Sequence, residues 1–145
     1  MQHKYSNKFI CQKGAKAPEG AISEVTALGF GKLVDVESGD GIFPPGEEGA
    51  CYDNSLNISY KKRYNALYCL GFAAGGKGDF SPHAWVSRDG KYYEVSPQKT
   101  GGQKYVLCFE EKFEDIESLV KEVTNSDIWC APMISLDGRI VIPLK

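Results

Sequence analysis

Long apolar runs are missing from this sequence, and so is any block of charge of one sign. The longest apolar stretches fall well short of the ~20 residues that a membrane-spanning helix needs, so no transmembrane segment is expected. Lysine and arginine number 17 against 19 aspartates and glutamates, a formal net charge of −2. Without a basic stripe nothing invites nucleic acid, and without an acidic tail nothing invites a basic partner. Behind the basic residue of Met1-Gln2-His3-Lys4-Tyr5 there is no apolar segment, so no signal peptide is expected and a cytoplasmic setting is the default. Histidine is scarce, with His3 and His83 only. The five cysteines, Cys11, Cys51, Cys69, Cys108 and Cys130, are odd in number, and none has C-x-x-C spacing. That disfavours zinc knuckles, redox motifs and a disulfide framework, and fits reduced thiols. No metal or cofactor is expected. There is no repeat, low-complexity tract or dividing linker, so the 145 residues read as one domain, long enough to bury a core.

What the sequence does have is a cysteine at the start of a helical pattern. Gly49-Ala50-Cys51-Tyr52-Asp53-Asn54-Ser55-Leu56 follows a loop rich in glycine and proline over 37–49. Tyr52, Leu56, Tyr60 and Tyr64 recur every four residues, which places them on one face of a helix running from Cys51 to about Asn65. Cys51 then lies in the first turn, where unpaired backbone N–H groups and the positive end of the helix dipole favour a thiolate. A cysteine taken alone is more often a small buried hydrophobe. Its significance therefore depends on a base elsewhere.

The second informative stretch runs from Pro82 to Pro97. Asp89-Gly90 between two β-rich runs is a strong hairpin signal. A two-residue turn sets Arg88 opposite Lys91, Trp85 opposite Glu94 and His83 opposite Ser96. Alternation then puts His83, Trp85, Tyr92, Glu94 and Ser96 on one face. Ala84, Val86, Tyr93 and Val95 fall on the other, which reads as the core face. Glu94 lies diagonal to His83, at a spacing of about 7–8 Å that long side chains bridge. A three-residue turn would separate them.

The remaining pattern is plainer. Residues 1–20 read as irregular, with His3 a solvated terminal histidine. Ile22, Val25 and Leu28 have helical spacing that Gly29-Phe30-Gly31 interrupts, and Leu33–Val36 reads as a short strand. Leu67–Ala73 and Lys104–Phe109 read as strands, the latter after a Gly101-Gly102 turn. Ile116, Leu119, Val120 and Val123 mark an amphipathic helix over 114–124. Two last strands, 128–135 and 139–144, join at Asp137-Gly138.

A helix-start cysteine, a strand histidine and a neighbouring carboxylate are the parts of a thiol nucleophile. Cys51 would attack an acyl carbon, His83 would pair with the thiolate and protonate the leaving group, and Glu94 would orient the imidazole. The Cys51 N–H would help hold the oxyanion, with Asn54 and Tyr52 as candidate side-chain donors and Trp85 as a wall of the site. Taken singly, His83 reads as a strand histidine packed beside Trp85 and Glu94 as a solvated strand residue. A zinc site using Cys51, His83 and a further cysteine is a third possibility, without ligand spacing to support it.

The same residues carry a resemblance. Gly49-x-Cys51-Tyr52-x-Asn54-Ser55-Leu56, Tyr68-x-x-Gly71-Phe72-Ala73, His83-Ala84-Trp85-Val86 and Gly90-x-x-Tyr93-Glu94-Val95-Ser96-Pro97 together resemble the papain-like and transglutaminase-like cysteine superfamily. The likeness is to its small bacterial and phage members and covers about residues 49–97. It implies an α+β fold, with the cysteine's helix packed on an antiparallel β-sheet, and a catalytic triad of Cys51, His83 and Glu94. Two departures stand out: Glu94 is where the pattern usually has aspartate, and no glutamine precedes Cys51 in the loop. The expected function is thiol-dependent acyl transfer on a protein or peptide: amide, peptide or isopeptide hydrolysis, deamidation or transglutamination. The alternative is a non-catalytic phage or bacterial protein that keeps the fold and docks on a host protein.

Overall fold

A computed structural model of the chain describes residues 8–97 and 103–145. His3 and Gly101-Gly102 lie outside them. The elements in order are β1 (Phe9–Lys13), α1 (Glu24–Leu28), β2 (Lys32–Ser38), α2 (Cys51–Tyr60), a 3₁₀ turn (Lys62–Tyr64), β3 (Leu67–Ala74), β4 (Phe80–Arg88), β5 (Lys91–Glu94), β6 (Gln103–Glu111), α3 (Phe113–Thr124), β7 (Met133–Ile134) and β8 (Ile140–Leu144). The described residues are mostly β, with 39% in strand and 23% in helix.

The expected α+β layout, a helix packed on an antiparallel sheet, is overturned. Five strands close into a barrel in the order β2-β5-β4-β3-β6, and β1-β8-β7 form a second sheet. The closing strand is β2, which pairs antiparallel with β6 and parallel with β5. Its core, Leu33–Val36, is visible as a strand, but local patterning does not reveal that it joins the two ends of the sheet. Residues 9–13, read as irregular, form β1 and pair in parallel with β8, an equally non-local contact.

The hairpin forms in the expected register. Arg88 pairs with Lys91 and Val86 with Tyr93. Asp89 and Gly90 have φ of 52° and 79°, the left-handed pair of a type I′ turn, which glycine enters without strain. Both faces of the hairpin are buried, not one. Trp85 joins Val36, Cys69, Tyr105 and Leu107 inside the barrel. Val86, Tyr93 and Val95 face outward against Phe43 and Ile58, the latter from α2. The outward face of β3, with Tyr68, Leu70 and Phe72, meets α3 and the second sheet through Ile116, Leu119, Val120, Ile134, Ile140 and Ile142 in the main core. The face read as the core is thus one of two, because closing the sheet encloses the other.

A register shift against Leu70/Gly71 of β3 makes a bulge in β6. Leu70 pairs with Phe109 and Gly71 with Leu107, leaving Cys108 over. The extra residue lets both Val106 and Phe109 face the main core despite their odd spacing. Gly71 sits at this crossing of strands. A Cβ there would lie 1.9 Å from the Val106 carbonyl oxygen and 2.8 Å from the Trp85 ring.

Among the described residues, no helix is long and apolar enough to cross a membrane.

Candidate functional site

The registers set His83 opposite Gly71, Tyr105 opposite Ala73 and Glu94 opposite Ser38. His83 and Glu94 are each 6% exposed. His83 Nε2 lies 2.7 Å from Glu94 Oε1. A carboxylate only accepts, so Nε2 carries the proton and donates it. The diagonal arrangement read from the hairpin thus becomes a direct contact.

Every carboxylate oxygen of Glu94 has a partner. Oε1 also accepts from the Tyr105 hydroxyl at 2.6 Å, and Oε2 accepts from the Ser96 N–H at 3.1 Å. Such satisfaction makes a buried carboxylate tolerable where an unpaired one would be very costly. Tyr105 is the member of this group that sequence reading missed. The strand 104–109 is visible in the sequence, but its pairing with β3, which carries the ring to Glu94, is not.

Cys51 is the first residue of α2 and is half-buried. Ala50, its N-cap, supplies no side-chain hydrogen bond to the first turn. Cys51 lies within hydrogen-bonding reach of His83. With Nε2 engaged by Glu94, Nδ1 is the ring nitrogen that can serve the thiol. Burial alone would push the His83 pKa down. The hydrogen bonds to Cys51 and Glu94, with the charges of both, outweigh it and raise the pKa from 6.5 to about 9. The setting thus favours the imidazolium over the neutral ring.

The three other candidates have different settings. Trp85 is wholly buried, stacked 6.3 Å from the His83 ring at an interplanar angle of 22°. It backs the imidazole from inside the barrel. Asn54 is a clamp: its amide nitrogen donates to the Glu47 carbonyl at 2.8 Å and to Ser96 Oγ at 2.9 Å, and its oxygen accepts from the Glu47 N–H at 3.0 Å. It ties the loop before Cys51 to α2 and to the residue that caps Glu94. Tyr52 packs its ring on the main core, and its buried hydroxyl lies at the Ile134 backbone. Of the regularly spaced Tyr52, Leu56 and Tyr60, the first two are half-buried on the main core and Tyr60 is exposed, while the fully buried residues of α2 are Ser55, Ile58 and Ser59.

Among the described residues no group of three or more histidines, cysteines, aspartates or glutamates could hold a metal ion. All five cysteines are free. Burial raises the pKa of Cys69 well above its usual value, that of Cys108 to about 12, and that of Cys130. Two clefts border α2 and share Asp53 and Asn57. One, of about 280 Å³, is lined by Tyr60, Phe113 and Trp129; the other, of about 450 Å³, by the loop 44–47.

No family model, curated protein or solved structure matches this chain.

Proposed function

We propose that the protein is a thiol-dependent acyl-transfer enzyme acting on an amide of a protein or peptide, with Cys51 as nucleophile, His83 as acid and base, and Glu94 as the group that orients His83. One observation carries this reading: the buried 2.7 Å contact of His83 with Glu94 stands beside the first residue of a helix, and that residue is a cysteine. The resemblance to papain-like and transglutaminase-like proteins points the same way.

The chemistry follows from these groups. The Cys51 thiolate adds to the amide carbon, and the oxyanion takes the Cys51 N–H at the uncapped start of α2. The C–N bond breaks as the His83 imidazolium gives its Nδ1 proton to the departing amine. A thioester remains. Neutral His83 then takes a proton from the incoming water or amine, which attacks the thioester and releases Cys51 as the thiolate. Water gives hydrolysis or deamidation, and an amine gives transfer. Glu94 accepts the Nε2 hydrogen bond throughout and keeps the ring oriented.

The test is the pH dependence of iodoacetamide alkylation, with peptide mass spectrometry to locate the label, in wild type and in His83→Ala. The expected result is that Cys51 labels first, at pH well below the ordinary thiol value of about 8.5, and that His83→Ala abolishes this. Labelling of Cys51 no faster than the exposed Cys11 would falsify the reading. That outcome would favour the second reading, a non-catalytic phage or bacterial protein that docks on a host protein, for which the exposed Trp129 and Tyr60 beside one cleft are the supporting observation.

A further inference from the structure

We propose that Tyr105 is a positioning residue for this chemistry, the group that lets a glutamate do the work for which the Cys-His pattern more often carries an aspartate. The proposal rests on the acyl-transfer reading and concerns how its third member is held.

Glutamate has one more rotatable bond than aspartate, and an unanchored side chain spreads over several rotamers. At position 94 that freedom is removed from two sides. The Ser96 N–H holds Oε2, and the Tyr105 hydroxyl holds Oε1, the same oxygen that faces His83 Nε2. The hydroxyl is in turn placed by packing. Tyr105 is 1% exposed, and its ring meets Trp85 edge-on at 4.9 Å and His83 at 5.7 Å. Trp85 also stacks on the His83 ring, so the three rings form one packed cluster. The carboxylate is therefore fixed by a rigid donor on a separate strand, β6, while the histidine comes from β4. Burial first, then the charge of Glu94, pushes the ionisation of Tyr105 far above its usual range, so the hydroxyl remains a donor wherever the enzyme would work. A core tyrosine whose hydroxyl merely finds the nearest acceptor would show the same contacts. What separates the two roles is whether His83 responds.

The experiment uses the full chain in four forms: wild type, Tyr105→Phe, Glu94→Gln and the double variant. Two quantities are read, the imidazole titration of His83 by NMR and the pH profile of Cys51 alkylation by iodoacetamide. Phenylalanine keeps the ring against Trp85, and a thermal melt checks the fold of each form. The expected result is that Tyr105→Phe lowers the His83 pKa by about 0.5–1 unit and slows Cys51 alkylation near neutral pH about 3–10-fold. In the Glu94→Gln background the same change should have little further effect, because the group it positions is gone. The proposal is overturned by a Tyr105→Phe protein that titrates and labels like wild type, or by effects of equal size with and without Glu94. Failure of the acyl-transfer reading looks different: Cys51 of the wild type then labels no faster than Cys11. In that case Tyr105 has no catalytic geometry to support, whatever the His83 titration shows.

Discussion

The properties of His83 come from two neighbours that its own strand does not supply. Burial opposes the imidazolium, and Cys51 and Glu94 restore it, with a resulting pKa of about 9 against 6.5 for an ordinary histidine. A raised pKa has a definite consequence for stability. Below pH 6.5 both folded and unfolded chains hold the proton, and the full stabilisation is present. Between 6.5 and about 9 the unfolded chain loses the His83 proton first, so the His83 contribution to stability falls with rising pH, by up to about 1.4 kcal/mol per unit. In the proposed ion pair the folded chain also lacks the Cys51 thiol proton, which the unfolded chain keeps up to about pH 8.5, and the two effects offset. Urea unfolding of the wild type should therefore change little between about pH 6.5 and 8.5. A decline of about 1.4 kcal/mol per unit there would mean that His83 holds its proton beside an uncharged Cys51. Asn54 permits a second test at this scale. Its three hydrogen bonds join the loop, α2 and Ser96. Asn54→Ala should cost about 1–3 kcal/mol and speed amide exchange at Glu47, with little effect on the far side of the barrel.

At the scale of elements, the hairpin was legible and the bulge was not. Asp-Gly between alternating runs specifies a two-residue turn, and that turn fixes which residues share a face with His83. The bulge at Cys108 arises because β6 must serve two partners, β3 and β2, while keeping Val106 and Phe109 in one core. No local pattern encodes that. Gly71 is the residue on which this crossing depends, since a side chain there meets backbone and the Trp85 ring together. Gly71→Ala should destabilise the fold by about 3–5 kcal/mol, in the range of severe core disruption. Gly76 has open space around its Cα and serves as the control: Gly76→Ala should change the urea midpoint little. Equal effects at the two positions would contradict the close strand crossing at Gly71.

For the whole molecule, closing the barrel decides which thiols can react. Cys69 is wholly buried inside, beside Ser87 and Glu110, where Ser87 Oγ donates to Glu110 Oε2 at 2.5 Å. Cys11 is exposed on β1. Reagent should reach Cys69 only when the barrel opens. Its labelling rate should track global stability through a denaturant series, while that of Cys11 should barely change. Labelling of Cys69 well before global unfolding, read by peptide mass spectrometry, would show that the barrel opens locally.

By itself the sequence determined the parts that depend on neighbours along the chain: the start of α2 at Cys51, the two-residue Asp89-Gly90 turn, the shared face of His83 and Glu94, and the helix expected over 114–124, which the structure begins at Phe113. These follow from periodicity, dihedral preference and strand alternation, all set over a few residues. Tertiary structure decided the rest. It turned an expected open sheet into a closed barrel through the parallel pairing of β2 with β5, and paired β1 with the end of the chain. It buried both faces of the hairpin and placed Tyr105 on Glu94. Each of these joins residues far apart in the chain, and such contacts form only because the whole apolar surface is enclosed at once, so no local stretch carries their signal.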